Sequence, residues 1–258
     1  MDLTMNLLAT LALVAFMAGT VDAIAGGGGL LTIPALMAAG IPPVPALATN
    51  KLQATLGTAS AFWSFHRAGH VDLRRFALPA AGAFLGSVGG AVAVQIVDSS
   101  FLAACVPALL ILMAFYFLFA PPMSEVDRHA RLGVRGITAI TTAIGFYDGF
   151  FGPGTGSFFT TALVALGGLG LVRAIANTKL LNLSTNVAAL ATMVAGGKVL
   201  WTLGLIMAVA NILGNQTGAR LAMRFNGRGV RPLLVIMSLA LTVKLLADPA
   251  NPLRQMLP

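Results

Sequence analysis

The sequence predicts an all-α polytopic membrane protein made of two inverted structural repeats, with interrupted or re-entrant helices meeting near the midplane. Three observations predict it. Apolar residues make up 57% of the chain and charged residues 9%, against ~25% charged in an ordinary soluble domain. The apolar residues fall into long, nearly uncharged runs. Polar landmarks recur along the chain at a near-constant spacing.

The runs cover residues 3–21, 76–97, 101–120, 203–223 and 232–247. A bilayer core about 30 Å thick takes ~20 apolar residues per helix, and shorter runs suit tilted or interrupted spans. A cleaved signal peptide is the competing reading of 3–21. It needs a basic leading segment, and only Asp2 precedes the run. A structural span is therefore expected. The net charge of +8 suits Lys and Arg in cytoplasmic loops rather than a nucleic-acid surface. The single cysteine, Cys105, lies within an apolar run and is expected to be a packed thiol.

The repeat is read from four landmarks. Leu85-Gly86 through Gly90-Ala91 matches Leu213-Gly214 through Gly218-Ala219 at an offset of 128. Gly69-His70-Val71 matches Gly197-Lys198-Val199, and Ala48-Thr49-Asn50-Lys51-Leu52 matches Ala176-Asn177-Thr178-Lys179-Leu180, at the same offset. Upstream, Asp22 and its Gly26 to Gly29 run match Asp148 and Gly152-Pro153-Gly154-Thr155 at 126. Residues 1–120 form the first membrane repeat, 121–133 a charged cytoplasmic linker and 134–258 the second repeat.

Basic residues swap sides between equivalent loops. Loop 66–75 carries Arg67, Arg74 and Arg75, while its counterpart near 194–203 carries only Lys198. Loop 95–101 has no basic residue, while its counterpart carries Arg220, Arg224, Arg228 and Arg231. Since Lys and Arg favour the cytoplasmic side, the swap predicts repeats related by an axis in the membrane plane. The linker, with Arg128, Arg131 and Arg135, joins the cytoplasmic side. An odd number of crossings per half follows. Whether 3–21 and 29–40 each cross or form a re-entrant hairpin stays open.

Each half contains a broken segment. Asp22 is followed by Gly26, Gly27, Gly28 and Gly29, an apolar run, then Gly40 and prolines at 42, 43 and 45. Asp148 is followed by Gly149, Gly152, Gly154 and Thr155, an apolar run, then Gly167, Gly168 and Gly170. Irregular backbone at membrane depth must be buried in protein or face a cavity. Matched breaks in two halves point to a transport site. A Gly-rich turn opening a helix offers free N–H groups to an anion. Close packing of small residues is the alternative reading.

The helix after each break carries polar residues. Along 46–65, Asn50, Lys51, Gln53, Thr55, Thr58 and Ser60 fill one arc. In the second half Lys179, Asn182 and Asn186 share a face. A lysine near a bilayer centre costs ~2.5–3.5 kcal/mol on insertion scales, so it normally faces an interior or a cavity. Snorkelling to an interface is the alternative. Two lysines at equivalent positions favour the interior and an anionic ligand. The matched acids, Asp22 and Asp148, read either as carriers of a coupling proton or cation, or as helix caps and ion-pair partners of the lysines. His66, His70 and His129 are placed in loops, and Trp63 and Trp201 at membrane interfaces.

Gly26 to Gly29 lacks a following Gly-Lys-Ser/Thr, so it is not a nucleotide loop. No metal spacing or catalytic dyad is present, so neither an enzyme nor a cofactor is expected. The segments Val21-Asp22-Ala23 through Leu30-Leu31-Thr32-Ile33-Pro34, Ala48-Thr49-Asn50-Lys51-Leu52-Gln53-Ala54-Thr55 and Gly145-Phe146-Tyr147-Asp148-Gly149 through Gly156 resemble the sulfite exporter family TauE/SafE. The resemblance covers nearly the whole chain. It implies a multi-pass plasma (inner) membrane transporter that exports a small anion such as sulfite or an organosulfonate. Carried onto this chain, it places the site at the two Gly-rich breaks with Asn50, Lys51, Gln53 and Lys179. Leu181 stands where the repeat matches Gln53, so the halves are chemically unequal. The expected function is secondary transport coupled to an ion gradient, proton being the leading choice. A passive anion channel or facilitator is the alternative. The expected partners are the small anion and the lipid bilayer, with no nucleic acid.

Overall fold

The computed structural model describes residues 4–119 and 126–225. The described residues form nine α-helices and no strand. They are α1 (Met5–Ala25), α2 (Gly29–Ala38), α3 (Pro43–Arg67), α4 (Leu73–Ile96), α5 (Ser99–Phe119), α6 (Val134–Phe150), α7 (Thr155–Ala165), α8 (Leu171–Ala195) and α9 (Trp201–Phe225). The apolar run at 232–247, Arg228 and Arg231 lie outside the described residues.

Local chemistry sets the ends. α1 stops at Gly26, whose φ of 72° is a left-handed cap that glycine adopts without a Cβ clash. α3 opens on Pro43, where a missing N–H costs nothing. The helix therefore starts earlier than the 46 expected from the proline cluster. Asp72 caps α4 by accepting from Arg75 N–H at 3.0 Å. Asp98 caps α5 by accepting from Ser100 and Phe101 N–H, and those bonds hold its carboxyl below the usual carboxylate range. His66 is a correction: it lies in the last turn of α3 and stacks on Phe62 at 5.6 Å. His70 and His129 lie in loops as expected, and Trp63 and Trp201 are exposed near helix ends.

Large apolar side chains face outward while several charged and polar ones are buried. Leu13, Leu78, Leu85, Val92, Phe101, Leu112, Val209 and Leu213 face outward on α1, α4, α5 and α9. Lys51, Gln53, Asp148, Lys179, Asn182 and Asn215 are buried. So many exposed large apolar side chains mark a surface that meets something other than water. α1 and α4 have the length and hydropathy to cross a bilayer.

Helices interlock in matched pairs. α4 packs against α6, and α1 against α9. A Cβ on Gly86 of α4 would stand 2.1 Å from Thr142 O of α6, and one on Gly214 of α9 would stand 2.0 Å from Phe16 O of α1. Small residues thus let the backbones touch. Asp72 N–H donates to Asn177 Oδ1 at 2.9 Å, and Leu200 N–H donates to Thr49 Oγ1 at 3.2 Å. The two bonds join positions matched by the sequence offset.

Charge is sorted to one end. There Phe65, Ile175 and Ala222 share a core cluster, Arg75 donates to Gly167 O, and Arg128 and Arg131 N–H bond Gly168 and Leu166. Loop 66–75, the linker from 126, the first turn of α8 and the last turns of α9 gather at this end with nine arginines, including Arg67, Arg74, Arg135, Arg173, Arg220 and Arg224. The far end, where Leu11, Leu36, Ile41, Ala46 and Leu203 cluster, has Lys198 as its one basic residue among those described. α2 runs back toward the end where α1 starts, since Leu36 packs with Leu11 and Ala15. α7 likewise runs back toward the arginine end, where Leu163 and Leu169 pack on Phe76.

Candidate functional site

The two breaks meet inside the bundle. Gly26 ends α1 and stands against Gly156 in the first turn of α7. Ser157 Oγ donates to Ala25 O across the same junction. Both breaks need glycine: Gly26, Gly152 and Gly154 have φ of 72°, 96° and 80°.

Lysines from α3 and α8 reach the breaks. Lys51 Nζ lies 2.9 Å from Asp148 Oδ1 and donates to Asn186 Oδ1 at 3.1 Å. Lys179 Nζ lies 3.0 Å from Asp22 Oδ2 and also donates to Asp22 O. The pairs are related by the offsets of the sequence repeat, and each joins one half to the other. Lys51 and Lys179 are 2% and 1% exposed, so neither snorkels. Asp22 also accepts from Gly28 N–H at 3.4 Å, capping α2. The acids are therefore ion-pair partners of the lysines in this conformation.

A cavity of about 30 Å³ lies between the pairs. Among its lining residues are Asp22, Gly29, Asn50, Lys51, Asp148, Thr155 and Asn182, all expected from the sequence. Lys179 sits behind Asp22, and Gln53 Nε2 supports Asn50 by donating to its Oδ1 at 3.0 Å. Neither lines the cavity. Three of the glycines expected at the site do not line this cavity. Gly27 does not line the cavity. A Cβ on Gly28 would meet Asp22 Cβ at 2.8 Å and Ala18 O at 2.9 Å. One on Gly154 would meet Met113 Cε of α5 at 2.0 Å. Gly28 packs on α1 and Gly154 on α5, and neither lines the cavity.

Gly26, Gly152, Gly156, Ala54, Thr58 and Asn186 complete the lining. Sequence reasoning passed over Ala54 because it is apolar, although offset 128 matches it to Asn182. It also missed Thr32, whose hydroxyl donates to Asn50. Its counterpart, Thr160, bonds Thr178 at 3.1 Å. The recurrence of Thr at offset 128 was the available signal. No group of three or more metal-ligating side chains occurs among the described residues.

Buried ion pairs of this kind are not a source of stability. Desolvation offsets most of the Coulomb gain, yet removing one partner costs ~3–5 kcal/mol. Each ammonium must therefore always be matched by an anion. In this conformation the anion is an aspartate.

Residues 11–245 match the family model described as sulfite exporter TauE/SafE. A probable membrane transporter protein ORF9 of Sinorhizobium sp is 48% identical over 254 residues, 98% of this chain and 97% of that one. The probable membrane transporter protein YfcA of Escherichia coli K12 is 46% identical over 94% of this chain and 90% of its own. A probable membrane transporter protein of Haemophilus influenzae is 43% identical over 96% and 98%. No solved structure matches the chain.

Proposed function

The chain belongs to the sulfite exporter TauE/SafE family, and on that premise we propose that it is a secondary transporter exporting a small anion, sulfite or an organosulfonate, coupled to an ion gradient. The family and its relatives are membrane transporters rather than enzymes. The observation that carries the reading is the pair of buried bridges, Lys51 to Asp148 and Lys179 to Asp22, at the meeting of the two breaks.

The chemistry is an exchange of counter-anions. An oxyanion entering the site takes the place of an aspartate on a lysine, so neither ammonium is left bare. The amides of Asn50, Asn182 and Asn186 supply further donors. A cavity of about 30 Å³ holds one or two waters at most. An oxyanion therefore needs the breaks to part, and a permanently open pore is disfavoured.

An inverted repeat in the plasma membrane frames this site. In support, α4 starts at the arginine end while its counterpart α9 starts at the far end. The arginine end faces the cytoplasm by the charge rule. The hairpins α1–α2 and α6–α7 enter from opposite sides as re-entrant elements and meet at Gly26 and Gly156.

The test is counterflow in proteoliposomes, with sulfite, short sulfonates and carboxylates, with and without a pH gradient. Saturable, competed oxyanion exchange is expected. Transport of a neutral or cationic solute with no oxyanion competition would overturn the reading.

A further inference from the structure

The two matched acids are used differently. Asp22 accepts from Gly28 N–H on Oδ1 and from Lys179 Nζ on Oδ2. Asp148 gives Oδ1 to Lys51, and its buried Oδ2 accepts no hydrogen bond. Asn182 Oδ1 is buried without a donor as well. Both residues line the central cavity and are 4% and 5% exposed. Gln53 and Asn215 hold the other such oxygens among the described residues, and neither lines that cavity.

What these lone pairs lack is a donor or a cation. A buried acceptor without a donor bears its full desolvation penalty. An oxyanion brings more acceptors and cannot relieve it. A proton or a small hard cation can. The cavity, at about 30 Å³, has room for such an ion in its present form. The first half offers no equivalent: offset 128 matches Asn182 to Ala54, which lines the same cavity with a methyl group.

We propose that Asp148 Oδ2, with Asn182 Oδ1, takes up the coupling cation, a proton or a sodium ion, and that Asp22 does not. The proposal rests on the transport reading above. The groups facing Asp148 are Lys51 from α3, Asn182 and Asn186 from α8, Thr155 from α7, and Gly152 in the break. α4 meets α6 beside it through Ser87 at Gly149 and brings no charge. Asp22 and Lys179 complete the charged groups at the centre. A cation on Asp148 loosens its hold on Lys51 and readies that ammonium for the anion. Cation and anion therefore favour each other's binding, a reciprocal linkage.

The test reads cation uptake by the purified full-length protein with no oxyanion present. Difference infrared spectra follow a protonated carboxyl, and radiolabelled sodium follows the metal. Wild type is expected to give one of the two signals, which identifies the ion. Asp148→Asn loses it although Asp22 is still present. Asn182→Ala leaves both ion pairs intact and weakens apparent cation affinity roughly tenfold or more, as loss of a supporting partner does. It decides the matter if Asp148→Asn does not fold. A signal that survives Asp148→Asn, is untouched by Asn182→Ala, or is absent in wild type overturns the assignment. Cation uptake by a protein that moves no oxyanion overturns the transport reading alone. Oxyanion counterflow without cation uptake overturns this inference alone.

Discussion

Gly26 and Gly156 touch backbone to backbone: a Cβ on Gly26 would stand 2.3 Å from Gly156 Cα. The two breaks can meet only because neither residue carries a side chain there. Gly26→Ala is expected to force the breaks apart and to add left-handed strain at φ 72°. Overpacking of this kind costs ~1–3 kcal/mol. Gly40→Ala meets open space at φ 82° and should show the strain alone, roughly 1–2 kcal/mol. Thermal midpoints by fluorescence-detected gel filtration would compare them. Equal midpoints would mean the junction tolerates separation.

Lys51→Met should abolish oxyanion transport and strand Asp148. Breaking a buried pair costs ~3–5 kcal/mol. Lys51→Met combined with Asp148→Asn removes both charges and should recover most of that loss without restoring transport. A double-mutant cycle on midpoints and counterflow rates separates the two effects. Full counterflow in Lys51→Met would reduce the lysine to a packing role.

The arginine end should be cytoplasmic. After Cys105→Ser, a cysteine at position 70 should resist an impermeant maleimide in intact cells and react once they are opened. One at position 198 should react from outside. Labelling of position 70 in sealed cells would invert or discard the topology.

Asp127 straps the linker to α8. It accepts from Gly170 N–H at 2.6 Å and pairs with Arg173. The Gly170 bond, and then Arg173, hold its carboxyl below the usual range. The pair is half exposed, so its contribution is ~0.2–1 kcal/mol. The folded form has the lowered pKa, so the stabilisation is complete above about pH 4, the unfolded value. It fades as pH falls through the folded value. Asp127→Asn should lower the midpoint slightly at neutral pH, and the difference should close in acid. A gap that stays constant with pH would assign it to packing.

Much of this was legible in the chain. The offset of 128 located the matched helices, and the polar arcs located Asn50, Lys51, Lys179 and Asn182. Charge sorting in the loops anticipated the arginine end. What periodicity does not encode is which half each residue faces. Asp22 is 29 positions from Lys51 and 157 from Lys179, yet it pairs with the distant lysine, because the interlocked helices bring the halves face to face. Glycine-rich breaks also looked uniform in sequence. Only packing shows Gly28 serving α1, Gly154 serving α5 and Gly26 serving the other break.

The crossed pairing of lysines and aspartates sets the order in which the protein can be assembled. Asp22 and Lys51 leave the ribosome before Asp148 and Lys179 have been translated. Until then the first half carries two ionised groups with no partner in the second. At ~2.5–3.5 kcal/mol for an ionised residue at a helix centre, that nascent half is expected to stay short of its final burial. Synthesis of α6 and α8 supplies the missing charges. Neither ion pair can close until both of the chain stretches that supply it have been made.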